Sequence, residues 1–306
     1  MNLQELRWFV ALTESENITA VAAEMHVTQP TLSRAIARLE TGFGVRLFDR
    51  RHNRLHLNRY GEILRAHALR ALSEVDSAHN RISTLADPNE GTVSLCFLHS
   101  LGEWLVPELI SRYRAEHPKV RFELRGAAAD SVADDIRVGR SDLGFVAPEP
   151  SVDDLVWTPV ATEPVRLLVP VRHRLARRKT VSFAEVAEDD FVALTPEYGL
   201  RQLTDRLARA AGFAPRIAFS VTEVGTMRAM IAAGVGVGVV PAPSAAADPP
   251  DGTTLIELRD RDAWRTIGMI QADRPLTSSV AEGFHRFVLE TLVENTTGPA
   301  GPPRRG

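Results

Sequence analysis

Polar side chains clustered near residue 30 have the chemistry that reads base pairs. Gln29 carries an amide that can bridge N6 and N7 of adenine, and Arg34 a guanidinium that can bridge O6 and N7 of guanine. Short hydroxyl side chains that suit phosphates or base edges surround them: Thr28, Thr31 and Ser33. Pro30 suits the helix entry and its shape. The pattern predicts contact with the major groove of double-stranded DNA.

The charge distribution indicates a polyanion site in the same region. The 306-residue chain has a formal net charge of −3, yet between Thr28 and Arg70 nine arginines stand against three acidic residues. This local excess of positive charge favours DNA as the partner. Three arginines in a predicted turn could reach the DNA backbone or minor groove: Arg50, Arg51 and Arg54. An open alternative is that Arg50 pairs with Asp49 or Glu40 and stabilises the turn.

Helical spacing of apolar residues predicts the elements that position these side chains. A first helix contains Leu3, Leu6 and Phe9, and a second, Thr19–Met25, is capped by Asn17. Thr28 caps a third helix, which turns Leu32, Ala35, Ile36 and Leu39 inward. The helix leaves Gln29, Thr31, Ser33, Arg34 and Arg38 outward, and we predict that Arg38, like the others, contacts DNA. Two short strands within Val45–Leu57 follow as a wing. This arrangement predicts a winged helix-turn-helix.

A heptad pattern follows the predicted wing. Asn58 caps a long helix whose apolar residues are spaced alternately by four and three: Leu64, Ala68, Ala71, Val75, Ala78, Ile82 and Leu85. Such a pattern is typical of a coiled-coil seam, so we predict a linker helix that dimerises. The alternative is that the seam packs on its own domain.

Strands and helices alternate from Thr92 onward, which predicts an α/β domain with a mostly parallel sheet. Three strand-to-helix turns, at 99–102, 195–198 and 222–226, should converge on one ligand cleft. Ligands of open α/β sheets bind beyond the carboxyl ends of the strands, where these turns lie. The candidate effector-binding residues are His99, Ser100, Leu101, Gly102, Thr195, Tyr198, Val224 and Thr226.

Two questions about this cleft stay open in the sequence. Ser100 and Glu103 have the spacing of a capping box, so Ser100 could cap its helix instead of contacting a ligand. Hydroxyls and helix-start amides favour a carboxylate or similar small anion. Glu103 and Glu197 argue instead for an amine or a hydroxylated ligand.

Other kinds of chemistry find no support in the sequence. Cys96, the single cysteine, lies within an apolar strand, which favours a buried and inert thiol. His52 and His56 lack a third ligand for zinc, and no nucleophile motif, phosphate loop or dinucleotide fingerprint occurs. We therefore expect no enzyme, catalytic residue, metal or cofactor. No segment has the apolar length of a membrane span or of a signal-peptide core, so we expect a cytoplasmic protein.

The region from Asn17 to Gly61 resembles the LysR-type transcriptional regulators. The resemblance rests on the run from Asn17 to Arg34 and on Leu39-Glu40, Phe43-Gly44-Val45, Leu47-Phe48-Asp49-Arg50 and Gly61. Weaker motifs follow in the family's order, at Gly139–Phe145 and Ala233–Pro241. Val21, Gly42 and Asn58 depart from the family pattern without removing a group that would face DNA.

The resemblance implies a winged helix-turn-helix, a dimerising linker helix and a two-lobed effector domain like a periplasmic binding protein. The boundaries expected are 1–57 for the DNA-binding domain, 58–88 for the linker helix, 91–161 with 264–294 for lobe I, and 162–263 for lobe II. Residues 295–306 are expected to form a disordered tail.

The function expected from the resemblance is that of a homodimeric or homotetrameric regulator, which binds an interrupted palindrome near a promoter and responds to a small-molecule effector. The alternative is a cytoplasmic small-molecule binding protein without sequence-specific DNA recognition. Gln29, Ser33, Arg34 and the local positive charge argue against that alternative.

Overall fold

A computed structural model describes residues 2–15, 17–51, 54–86, 90–242, 251–276 and 278–293. The predicted tail, His52 and the loop containing Pro249 and Pro250 lie outside these residues. Only the backbone is described for residues 50, 51, 54, 77, 79–81, 83–86 and 293. The described residues form two compact units, one within residues 1–87 that also includes 137–140, and one comprising the remainder.

The first unit consists of three helices, a ribbon and a long helix. The helices are α1 (Leu3–Ser15), α2 (Ile18–Glu24) and α3 (Gln29–Phe43), and they are followed by strands β1 (Phe48–Arg51) and β2 (Arg54–Leu57) and by helix α4 (Arg59–Ala86). The ribbon pairs antiparallel, with Phe48 opposite Leu57. Phe9, Leu12 and Leu32 are fully buried in a shared core. The winged helix-turn-helix expected from the apolar spacing is present.

Side-chain caps begin two of these helices as predicted. Asn17 accepts hydrogen bonds from the backbone N–H groups of Thr19 and Ala20, and Asn58 accepts from those of Tyr60 and Gly61. Thr28 occupies the cap position of α3, but the prediction that its side chain caps the helix is wrong. Its hydroxyl instead lies 2.9 Å from that of Thr31, because both groups face the same side of the first turn.

The apolar seam of α4 has two parts with different surroundings. Leu64 and Ala68 pack on the core of the first unit, as the alternative interpretation of the seam requires. Further along the helix, Ala71 and Ala78 are exposed and Ile82 is 68% exposed. Among the described seam residues, Leu64 and Ala68 thus pack on their own unit, whereas Ala71, Ala78 and Ile82 are exposed.

The second unit contains one large sheet and a smaller parallel pair of strands. Its strands are β3 (Gly91–Leu98), β4 (Val120–Ala127), β5 (Leu143–Val146), β6 (Leu155–Pro170), β7 (Thr180–Val181), β8 (Asp190–Leu194), β9 (Arg216–Val221), β10 (Gly238–Pro241), β11 (Thr253–Leu258) and β12 (Trp264–Ala272). Its helices are α5 (Leu105–Glu116), α6 (Ala129–Arg137), α7 (Gly199–Ala210), α8 (Val224–Ala232) and α9 (Ser279–Val293).

The large sheet is mixed, so the expectation of a mostly parallel sheet is wrong. β3 pairs parallel with β4 and β5, whereas β12 runs antiparallel to both β5 and β6, and β10 and β11 run antiparallel to β6. The main cause is the long strand β6, which the sequence indicated only at Val165–Val169. Pro159 and Pro164 interrupt the apolar pattern of its first half.

The second unit contains two large hydrophobic cores. One core is built from residues between Val165 and Ala263, and the other from residues 93–160 and 267–288. Glu163 of β6 is opposite Arg265 of β12 in this pairing. The division into lobe I and lobe II at Thr162 and Ala263 stays a prediction.

Candidate functional site

The outer face of α3 presents the predicted base-reading side chains together. Gln29, Pro30 and Arg34 are exposed, and Thr31 and Ser33 are half-buried. The amide of Gln29 donates a hydrogen bond of 2.9 Å to the hydroxyl of Ser33 one turn later. Arg34 forms no ion pair within the described residues. This face offers an amide, hydroxyls and a guanidinium in the spacing that a major groove accommodates.

Arg38 differs from the other residues predicted on this face. Its Nε and Nη2 atoms lie 2.8 and 2.7 Å from Oε1 of Glu5, a buried residue of α1. The hydrogen bond from Arg38 lowers the pKa of the Glu5 carboxyl, which keeps the pair charged near neutral pH. The contact ties α3 to α1, a role that the sequence pattern did not indicate.

The predicted wing arginines are placed only by their backbone. Arg50 and Arg51 end β1, and Arg54 begins β2, so all three flank the tip of the ribbon. Their side chains lie outside the described part of the chain. Glu40, one proposed partner of Arg50, accepts a hydrogen bond from the backbone N–H of Leu47.

An open cleft lies in the second unit, where residues of all three predicted turns meet. Four of the eight predicted effector residues line it: His99, Ser100, Tyr198 and Val224. The remaining lining residues were not predicted as ligand contacts: Leu98, Ala127, Ala147, Leu194, Gly199, Leu200, Thr222, Glu223 and Arg265. The wall is therefore mainly apolar with a few polar groups, as in small-molecule sites generally.

The other four predicted effector residues do not line the cleft. Leu101 is fully buried in the core of lobe I, because an apolar side chain in this turn packs inward. Gly102 packs against Phe97, and the hydroxyl of Thr195 donates to the carboxylate of Glu197. Thr226 is exposed outside the cleft, two residues along α8 from Val224.

Ser100 does not act as a helix cap, so the capping-box interpretation is wrong. His99–Leu101 forms a short 3-10 turn, and α5 begins only at Leu105. The hydroxyl of Ser100 accepts a hydrogen bond of 2.9 Å from Nη2 of Arg265, and the carboxylate of Glu103 lies 2.7 Å from Arg228. Both groups are thus engaged by arginines from other elements.

A buried ion pair between Glu163 and Arg265 lies next to Ser100. Nε of Arg265 donates to Oε2 of Glu163, and the two side chains are 8% and 0% exposed. Burial raises the pKa of Glu163, while the charge of Arg265 opposes that rise. The only signal in the sequence is a charged residue in each of two otherwise apolar strand segments.

Cys96 lies outside the cleft, buried in a cluster with Val132, Ile136 and Ile270. Its Sγ donates to Oδ2 of Asp135 at 3.3 Å. Burial, reinforced by the Asp135 carboxylate, raises the pKa of the Cys96 thiol to about 12. The group is therefore a protonated, unreactive thiol at neutral pH.

The described residues contain no cluster of three or more histidine, cysteine, aspartate or glutamate side chains that could hold a metal ion. Within the same part of the chain, no helix combines the length and apolarity required to span a membrane.

Comparisons with known proteins match both units. Residues 3–62 match the family described as bacterial regulatory helix-turn-helix protein, lysR family, and residues 86–293 match the LysR substrate binding domain. YybE of Bacillus subtilis (strain 168), an uncharacterized HTH-type transcriptional regulator, is 32% identical and covers 96% of this chain and 100% of its own. The transcriptional dual regulator GltC of the same organism is 31% identical, covering 95% and 97%.

Solved structures agree in fold. The LysR family transcriptional regulator CbnR has a TM-score of 0.76 at 23% identity, and covers 95% of this chain and 99% of its own. Full-length CbnR complexed with its target DNA has a TM-score of 0.60, with the same identity and coverage.

The winged helix-turn-helix joined to a ligand-cleft domain defines a class of DNA-binding, effector-responsive transcription regulators, not of enzymes. Within that class, the matches over residues 3–62 and 86–293 are decisive. The chain belongs to the LysR family of transcriptional regulators.

Proposed function

We propose that this regulator binds an interrupted palindrome near a promoter through α3 and the wing. The observation that carries the proposal is the exposed face of α3, where Gln29, Ser33 and Arg34 stand together. DNA bound to CbnR, a protein of the same fold, supports this use of the domain. The proposed contacts are Thr28, Gln29, Pro30, Thr31, Ser33 and Arg34, with Arg50, Arg51 and Arg54 on the backbone or minor groove. Arg38 contributes through its pair with Glu5.

Substitution of Arg34 tests the readout of bases. Arg34→Ala should weaken binding to the operator upstream of the protein's own gene by about 1–3 kcal/mol at fixed salt, because a bidentate contact with guanine is lost. Binding to scrambled DNA should change much less. Arg206→Ala, which removes an exposed arginine of α7, is the control. Equal operator affinities for the wild type and Arg34→Ala would refute the assignment.

The later part of the α4 seam is proposed as the dimer contact, and the assembly as a homodimer or homotetramer. Ala78 and Ile82 are exposed at heptad positions, where a second copy would cover them. Ala78→Asp with Ile82→Asp should yield smaller species in analytical ultracentrifugation, because buried charges without partners are costly. Ala66→Asp, on another face of α4, is the control. An unchanged mass for the double variant would place the contact elsewhere.

The location proposed for the protein is the cytoplasm.

The cleft of the second unit is proposed as the effector site. The placement of His99, Ser100, Tyr198 and Val224 on the cleft wall supports this proposal. A ligand in this position can alter regulation only by binding one arrangement of the protein more tightly than another. Footprints of the operator with and without candidate metabolites test this directly. A footprint that no metabolite changes would contradict it.

A further inference from the structure

Burying the Glu163–Arg265 pair in the interior of this unit carries a large desolvation penalty. Glu163 is 0% exposed and the Arg265 side chain 8%, so both charges have lost most of their water. Replacing a buried ion pair by apolar residues is often neutral or stabilising, so the pair is weak evidence for a stabilising role. The position of Arg265, on the wall of the cleft and beside Ser100, gives it a different use.

The hydrogen bonds of Arg265 leave part of its guanidinium for a ligand. Nε donates to Glu163 and Nη2 donates to Ser100. Nη1 and the second N–H of Nη2 are not used in these bonds, so the guanidinium can still offer a carboxylate two parallel donors on neighbouring nitrogens. Glu163 fixes the plane of the guanidinium, which limits the rotamers that the group can adopt.

The surroundings of Arg265 suit an anion with a small apolar body. Gly199 and Leu200, in the first turn of α7, line the same cleft, and first-turn amides have no acceptor within their own helix. Leu98, Ala127 and Leu194 supply apolar wall. The cleft therefore combines a fixed cation with a surface that prefers hydrocarbon.

The two carboxylates that argued against an anion do not line the cleft. Glu103 pairs with Arg228, and Glu197 accepts from the hydroxyl of Thr195. Glu223 does line it and is exposed. The carboxylate of Glu223 lies at the cleft wall, and the carboxylate of Glu163 already pairs with Arg265. These two negative charges favour a ligand with one negative charge over a ligand with two.

We propose, resting on the proposed effector site, that Arg265 is the residue that selects the effector by its charge and that the ligand is a small monocarboxylate with a largely apolar body. Ser100 and Glu163 are positioning residues that hold the guanidinium in place. The ligand's carboxylate accepts from Nη1 of Arg265, while its body contacts the apolar wall.

The experiment uses the full chain and a panel of small monocarboxylates, among them pyruvate and benzoate. Each acid is paired with its primary amide and with an amine of similar shape. Binding is measured by calorimetry and thermal shift at up to about 10 mM, which detects millimolar dissociation constants. At least one acid should bind about 10- to 100-fold more tightly than its amide, because hydrogen bonds to a charged partner are stronger.

The variant that tests Arg265 is the neutral pair Glu163→Gln with Arg265→Gln, because it avoids leaving one buried charge alone. It should fold and should lose the preference for acid over amide. The control pair is Arg174→Gln with Asp189→Asn, which removes an ion pair whose two residues do not line the cleft and should keep that preference. If the Glu163/Arg265 pair variant does not fold, Arg265→Lys replaces it, because a single ammonium cannot reproduce the paired donors and the preference should fall.

Each outcome assigns a failure to one proposal. The role of Arg265 would be overturned if acids and amides bound alike, or if the Glu163/Arg265 pair variant kept the preference for acids. Neither result would contradict the effector site itself. Binding by amides or amines alone would likewise overturn the role of Arg265. Binding by no member of the panel would overturn the monocarboxylate assignment. An acid that binds but never changes the operator footprint would support Arg265 and contradict the proposed regulatory function.

Discussion

Arg38 provides a sharp test of how α3 divides its arginines between folding and DNA contact. Arg38→Gln shortens the side chain and removes the charge that faces Glu5. A hydrogen bond to a charged group contributes about 1.5–3 kcal/mol to stability. Because the Arg38 side chain is 59% exposed, water compensates part of the loss, and exposed ion pairs contribute about 1 kcal/mol or less. We therefore expect the free energy of unfolding to fall by about 1–2 kcal/mol.

The pH dependence of this loss has a defined sign. Arg38 lowers the pKa of Glu5 in the folded state, so the pair adds stability above the unfolded pKa of a glutamate. That stability is lost as the pH falls through the folded pKa, where the carboxylate gains a proton. The difference between the wild type and Arg38→Gln should be largest near pH 7 and should shrink below about pH 4.

The assay pairs urea unfolding with operator binding. Circular dichroism follows unfolding of the full chain at both pH values, and binding is compared between operator and scrambled DNA. Arg34→Gln is the matched control: it should unfold as the wild type does but lose discrimination between the two DNAs. Arg38→Gln should unfold more easily than the wild type but keep its discrimination between operator and scrambled DNA. If Arg38→Gln unfolds like the wild type and loses discrimination, the structural role assigned to the pair is refuted.

Two further predictions concern Cys96 and Asn17. In the folded protein Cys96 should react only slowly with iodoacetamide between pH 7 and 9, because its pKa of about 12 leaves little thiolate, and rapid labelling comparable with the urea-unfolded chain would contradict this. Asn17→Ala should lower the free energy of unfolding by about 1 kcal/mol, because the N–H groups of Thr19 and Ala20 lose their acceptor. Asn17→Asp keeps an acceptor and is the control, so equal unfolding free energies for the two variants would refute the cap.

The DNA-binding unit could be predicted from sequence because its signals are local. Helical spacing indicated α1 to α3, and the caps at Asn17 and Asn58 were confirmed. Interactions between elements were not accessible in this way. The partner of Arg38 is 33 residues away, and nothing in the spacing within α3 distinguishes Arg38 from Arg34.

The cleft shows the same limit more strongly. The turns at His99, Tyr198 and Val224 could be placed because each follows a strand or opens a helix. Arg265 could not be placed, because its neighbours come from a pairing of β12 with β6 whose first half is interrupted by Pro159 and Pro164. Because this antiparallel pairing was not predicted, the sheet was expected to be mostly parallel, whereas it is mixed.

Within the described residues, a buried glutamate pairs with an arginine twice, and the exposure of the arginine differs between the two pairs. Glu5 is covered, but its partner Arg38 keeps much of its water, so the pair forms at modest cost and ties two helices together. Glu163 and Arg265 are both desolvated, so their attraction must first offset a large loss of hydration. A pair of the second kind gives stability at best inefficiently, whereas a guanidinium fixed on a cleft wall binds an anion with little reorganisation. The degree of exposure of the arginine, and not the presence of the pair, therefore separates the helix contact of Arg38 from the role proposed for Arg265.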